Sequence, residues 1–291
     1  FPRLVFFCLF LFSVSGYSKD HSALADHSTW QALLHYWSGS KGPSEVYSDS
    51  FFLASSGKTD ALAELQANLN FLENNPEEYA CRFPARKQFI CGHSPDTKEC
   101  TEVPTCPKLQ KFLDAHRSER VVLGFGANYT GDPSSLYGHT FLWFVPPELE
   151  HYEKTSTGKV LSYDTDLRGM SAFEYVPQAF FANLKGRYAS QDFHQRERIY
   201  RFEEHRDIWF FPLRASEAER QRILLHAFEL MSVELAYGFT TRNCALRLME
   251  LIQVAYPDYE LVSGTLVSPA ETLKVLNEKS LIDSSWVRPS R

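Results

Sequence analysis

The chain has 291 residues, 44% hydrophobic and 23% charged, the balance of a globular protein with apolar material for one large or two modest domains. A formal net charge of −6 argues against nucleic acid as a partner, as does the lack of a basic run, a zinc-finger spacing or a Gly-rich phosphate loop. The N-terminus reads Phe1-Pro2-Arg3 and then an apolar run over residues 4–14, shorter than the roughly 20 residues that span a bilayer. With Ser13, Ser15, Gly16 and Ser18 behind it, this run predicts a secretory signal peptide over residues 1–18, with an uncleaved anchor as the competing reading. Cys8 lies inside the apolar core and is poorly placed for lipid attachment.

Residues 19–118 read as a helical, Cys-rich region. Ser28 and Gln31 suggest a capping box ahead of a short helix carrying Trp30, Leu33 and Leu34. Leu62, Leu65, Leu69 and Leu72 recur at helical spacing over residues 60–73, with Asp60 or Thr59 as cap. Four cysteines follow: Cys81, Cys91, Cys100 and Cys106. In an exported chain they predict two disulfides stapling a loop-rich segment, of connectivity the sequence does not give. A zinc site competes, but the spacing lacks close CxxC pairs, so no metal is expected. A short helix is expected over residues 108–116.

From Arg120 the period changes. Residues 121–125, 140–145, 159–163, 198–202 and 207–213 predict strands, bounded by Gly, Pro, Asn and Asp. Ser216 and Glu219 open a long helix expected to reach residue 236, a second helix starts after Asn243, and another covers residues 269–277. Strands in the middle with helices on either side predict an α+β fold, an antiparallel sheet packed on helices, with residues 119–291 as the catalytic domain.

Asn243 is a good helix N-cap, and Leu246, Met249, Leu251 and Ile252 repeat behind it. Cys244 therefore falls in the first turn, where unpaired backbone N–H groups favour thiolate and offer donors for an oxyanion. The competing reading is a small buried hydrophobe. In an exported protein whose other mature cysteines pair, however, a leftover thiol calls for a reason. A thiol nucleophile needs a base, and among ten histidines His139 stands apart. It sits in Ser134-Ser135-Leu136-Tyr137-Gly138-His139-Thr140, where a Gly-containing turn enters a buried strand that would hold the ring rigidly.

Residues 134–144 and 237–252 together resemble the bacterial lipoprotein N-acyltransferase family Lnb. The specific pieces are Gly138-His139-Thr140-Phe141-Leu142 and Asn243-Cys244. Cys81-Arg82-Phe83-Pro84-Ala85-Arg86 and Arg206-Asp207-Ile208-Trp209 are also similar but chemically mute. The resemblance implies a circularly permuted papain-like (NlpC-type) core, with Cys244 as acyl-accepting nucleophile and His139 as general base. It takes the orienting third group from the next strand, as Asp164 or Tyr163. Neighbouring residues of a strand point to opposite faces, so only one of the two can serve. Ser135, Tyr137 and Asn243 are candidates for holding the oxyanion or the lipid headgroup.

The implied reaction moves an acyl chain from a membrane phospholipid, through a thioester on Cys244, to the N-terminal amine of a diacylglyceryl-cysteine lipoprotein. It takes place in the periplasm at the membrane surface, with no cofactor. Water as acceptor would make the same Cys–His pair a phospholipase or a cell-wall peptide amidase. A non-enzymatic lipid-binding module with an incidental thiol is a third reading.

Overall fold

The apolar runs between Arg120 and Arg288 pair into one antiparallel sheet in a computed structural model that describes residues 21–36, 43–93, 98–101, 104–129, 138–147, 149–165, 170–180, 184–262 and 268–291. The segment read as a signal peptide lies outside the described residues. The strands are β1 (Arg120–Gly126), β2 (His139–Val145), β3 (Lys159–Thr165), β4 (Leu184–Asp192), β5 (Ile208–Pro212), β6 (Leu235–Tyr237) and β7 (Trp286–Arg288), in the order β6-β4-β3-β2-β1-β5-β7. The helices are α1 (Ser22–Ala25), α2 (Ser28–Leu33), α3 (Ala61–Asn74), α4 (Pro76–Arg82), α5 (Pro84–His93), α6 (Pro107–Ala115), α7 (Ala172–Phe180), α8 (Phe193–Arg198), α9 (Glu217–Leu230), α10 (Cys244–Gln253) and α11 (Pro269–Glu278). Among the described residues, no helix is long and apolar enough to cross a membrane.

The central strands are apolar on both faces because both faces are covered. Val121, Leu123, Leu142, Phe144, Leu161 and Tyr163 join the cluster that holds α9, α10 and the N-terminal helices. Val122, Phe141, Trp143, Val145 and Val160 face a second cluster around Phe193, Tyr200 and Phe210. Register follows from this alternation, since a one-residue slip would exchange the two sets. It pairs Phe141 with Ser162 across β2 and β3. Continued two residues along both strands, it sets His139 opposite Asp164.

The N-terminal helices are fastened to α9 and α10 by buried charges as well as apolar contact. The Glu229 carboxylate of α9 accepts from the Ala85 and Arg86 N–H groups at 2.8 and 3.1 Å, filling orphan donors at the start of α5. Arg247, fully buried on α10, donates to Glu45 at 2.7 Å and to Glu250 at 2.8 Å. Glu250 also meets His35 at 3.1 Å.

Several expectations need correction. The Cys-rich segment is helical rather than loop-rich: Pro76 and Pro84 open α4 and α5 at positions that need no N–H donor, and disulfides join Cys81 to Cys106 and Cys91 to Cys100. The α2 cap is His27, whose Nδ1 accepts from Thr29 N–H at 3.2 Å, instead of Ser28. Residues 198–202 form no strand; α8 runs on into a π-helical turn, Ile199–Glu203, tied by the Arg201–Glu197 ion pair at 2.6 Å. The helix from Ser216 ends at Leu230, and residues 235–237 pair with β4 instead. β4 itself is unexpected, since Lys185, Gly186, Ala189 and Ser190 have weak strand preference.

Candidate active site

Three elements converge at one end of the sheet: the start of β2, the end of β3 and the N-terminus of α10. At α10, Asn243 has extended backbone geometry and its Oδ1 accepts from Leu246 N–H at 3.1 Å. Its Nδ2 donates to the Phe239 carbonyl at 3.1 Å. Both ends of the amide are therefore committed to the loop-to-helix turn, which bears on its expected place among the oxyanion donors. That turn sets Cys244, a buried free cysteine, at the first helical position.

Gly138 precedes β2 with φ +84°, and a Cβ there would run into the Phe125 ring and lie 2.8 Å from the Gly126 carbonyl. Only glycine fits, and it aims His139 into the site. The Cys244 sulfur lies within electrostatic reach of the His139 ring and of the N–H and hydroxyl of Thr140, all of which favour the thiolate. The Thr140 Oγ1 is fully buried and has no hydrogen-bond partner among the described residues, so it is free to face the sulfur. Burial pushes the thiol up, but the His139 charge and hydrogen bond and the Thr140 donors outweigh it, and the net position is about 7. Burial likewise works against the His139 cation. The Cys244 thiolate, the neighbouring Tyr200 and the contact with Asp164 hold it well above the usual imidazole range.

The Asp164 Oδ1 lies 3.3 Å from His139 Nε2. The N–H does not point squarely at that oxygen, so the contact is an ion pair more than a straight hydrogen bond. Ser162 Oγ donates to Asp164 Oδ2 at 2.6 Å, and Arg196 Nη2 donates to the same oxygen at 3.1 Å. Although burial opposes charge here too, the bonds to His139, Arg196 and Ser162 keep the carboxyl well below the ordinary carboxylate range. Tyr163, the other residue weighed for this place, is not at the ring. Its side chain leaves β3 on the opposite face and its hydroxyl donates to the Leu235 carbonyl at 2.8 Å.

Ser135 and Tyr137 lie outside the described residues. Among the described residues, no group of three or more His, Cys, Asp and Glu gathers to hold a metal. Thr140, Ser162, Arg196 and Tyr200 were not anticipated. Ser162 was within reach, because a period of two puts it on the face of Asp164. Arg196 and Tyr200 are an i,i+4 pair that a strand over residues 198–202 would have separated.

An antiparallel sheet backed by helices, with a buried thiol, an imidazole and a carboxylate gathered at one end, defines an α+β protein with a candidate thiol site. Residues 108–279 match the family model described as the Lnb N-terminal periplasmic domain. That match spans more than half of the chain, and the protein belongs to the Lnb family. Residues 22–93 match a domain of unknown function, DUF7843. No curated protein and no solved structure matches the chain.

Proposed function

We propose that this protein is a lipoprotein N-acyltransferase with a papain-like, circularly permuted thiol core. The observation that carries the proposal is the gathering of three groups: the free Cys244 at the start of α10, the His139 ring that acts on its ionisation, and Asp164, 3.3 Å from that ring's Nε2. The Cys244 thiolate attacks the ester carbonyl of a phospholipid. Backbone N–H groups at the start of α10 receive the developing oxyanion. As the tetrahedral intermediate collapses, the carbon–oxygen bond breaks and the imidazolium of His139 gives its proton to the leaving lysophospholipid.

The acyl group now rests on sulfur as a thioester, activated enough to form an amide without nucleotide or coenzyme A. The α-amine of a diacylglyceryl-cysteine lipoprotein attacks it, His139 takes the amine proton, and the thiolate leaves. Asp164 keeps the ring oriented and offsets its charge in both halves. Tyr163, turned to the other face, has no part in this scheme.

Membrane-borne substrates also fit the surface beside the site. α7 follows the end of β3 that carries Asp164, and its Ala179 carbonyl accepts from Phe239 N–H at 3.0 Å, in the loop leading to Cys244. Phe173 on this helix is 93% exposed, an apolar ring at the rim a bilayer would meet.

The test combines purified protein, phospholipid vesicles and a diacylated lipopeptide, followed by mass analysis. A triacylated lipopeptide and an acyl adduct on Cys244 are expected. Release of free fatty acid without triacylated product would replace transfer by hydrolysis.

A further inference from the structure

Behind Asp164 stands a cation that the transfer scheme does not use. The Arg196 guanidinium, on α8, donates through Nη2 to Asp164 Oδ2 at 3.1 Å and to Ser162 Oγ at 2.7 Å, and through Nη1 to the Tyr200 hydroxyl at 3.2 Å. Because Ser162 accepts from Arg196, its own proton is directed to Asp164 Oδ2, at 2.6 Å. The side of the carboxylate away from His139 is thus fully engaged. Tyr200 closes the circuit: its ring stands edge-on to His139 with centroids 6.3 Å apart, and it lies in the π-helical turn that follows α8. A π turn costs regular hydrogen bonding and is often kept where a side chain must be re-aimed.

We propose that Arg196 is a positioning residue for the His139–Asp164 pair, clamping the carboxylate through Ser162 and limiting how tightly that carboxylate holds a proton on the ring. The proposal rests on the thiol mechanism above. Cys244⁻, His139⁺ and Asp164⁻ together leave one negative charge, which in a dry site favours retention of the imidazolium proton. A second cation restores neutrality, so the ring can release the proton to a leaving group. A hydroxyl or amide in its place would orient the carboxylate but leave the charge uncompensated.

Among the described residues, the other charged groups nearby are otherwise engaged. Arg206 stacks on the Tyr200 ring at 4.4 Å and donates to the Gly126 carbonyl at 3.0 Å. Arg187, across from Asp164 on β4, is ion-paired with Glu234.

The rate of Cys244 alkylation by iodoacetamide, located by peptide mapping and followed from acidic to alkaline pH, tests this without any lipid. In R196Q the midpoint of the profile is expected to move up by about one pH unit, because removing a nearby positive charge makes both ring and thiol hold their protons longer. R196K keeps the charge and is expected to restore the midpoint. Its acyl transfer should stay slow, since an ammonium cannot span Asp164, Ser162 and Tyr200 together. An R196Q midpoint that coincides with that of the unaltered protein overturns the proposal. Should R196Q fail to fold by circular dichroism, S162A takes its place. It is expected to slow alkylation at neutral pH about fivefold, the worth of one hydrogen bond, and an unchanged rate overturns the role. Lack of acyl transfer in the unaltered protein would defeat the proposed function while leaving the alkylation result to stand or fall alone.

Discussion

His139 and Asp164 meet because they hold facing positions on neighbouring strands, with Nε2 and Oδ1 3.3 Å apart. With Nε2 turned to the carboxylate, the second nitrogen, Nδ1, is the one left for the proton exchange with Cys244 in the proposed mechanism. The relationship depends on sheet register: a slip of one residue would bring Tyr163 to the ring and turn Asp164 away.

Substitution of Cys244 by Ala is expected to abolish acyl transfer and the acyl adduct, while Asp164→Asn should lower transfer by about 10²–10⁴-fold through loss of ring orientation and charge. Mass analysis of the lipopeptide product measures both. Full activity in C244A would make the thiol incidental and place the transfer on another group.

The thiol sits near 7, below its ordinary value of 9.0, so the reactive form prevails above neutrality and is lost as pH falls through about 7. Alkylation of Cys244 should follow that curve. In H139A the midpoint should rise toward 9.0, because burial then acts without the imidazolium to oppose it. A profile unchanged by H139A would mean that the ring does not set the ionisation of the sulfur.

Gly138→Ala places a Cβ at φ +84° against the Phe125 ring. The left-handed conformation alone costs about 1–2 kcal/mol, and relief of the clash must shift the start of β2. Transfer should fall more than the melting temperature does, since the displaced residue is His139. Parallel assays of activity and thermal unfolding separate the two effects.

Phe173→Ser is expected to slow transfer from phospholipid vesicles and to leave transfer from detergent-dispersed phospholipid unchanged, because it alters the rim and not the chemistry. Equal loss with both donors would point to damage at the site rather than to membrane contact.

Arg247→Met would leave Glu45 and Glu250 without their shared cation in the contact between the N-terminal helices and α10. Stranding buried carboxylates costs about 3–5 kcal/mol, measurable by denaturant unfolding. A much smaller loss would show that His35, Arg242 and solvent take over the neutralisation.

Local chemistry made much of this legible beforehand. Asn243 followed by an apolar helical repeat predicts a helix that starts at Cys244, and α10 starts there. Unbroken apolar runs gave β1, β2, β3 and β5, and the cysteine arithmetic gave two disulfides and a leftover thiol. Each of these depends on spacing along the chain, which a sequence carries in full. Contacts between distant segments were the harder part. The choice of Asp164 over Tyr163 needed the register of β3 on β2, and β4 formed from weak strand formers because neighbouring strands offered partners on both sides. Arg196 and Tyr200 came to the site on α8 and the π turn that continues it, fastened by Glu197, Arg201 and Arg288, in place of an isolated strand. Residue type and spacing thus determine which groups this protein can use. Which of them touch is decided by long-range pairing, whose energy belongs to two segments at once and is written in neither.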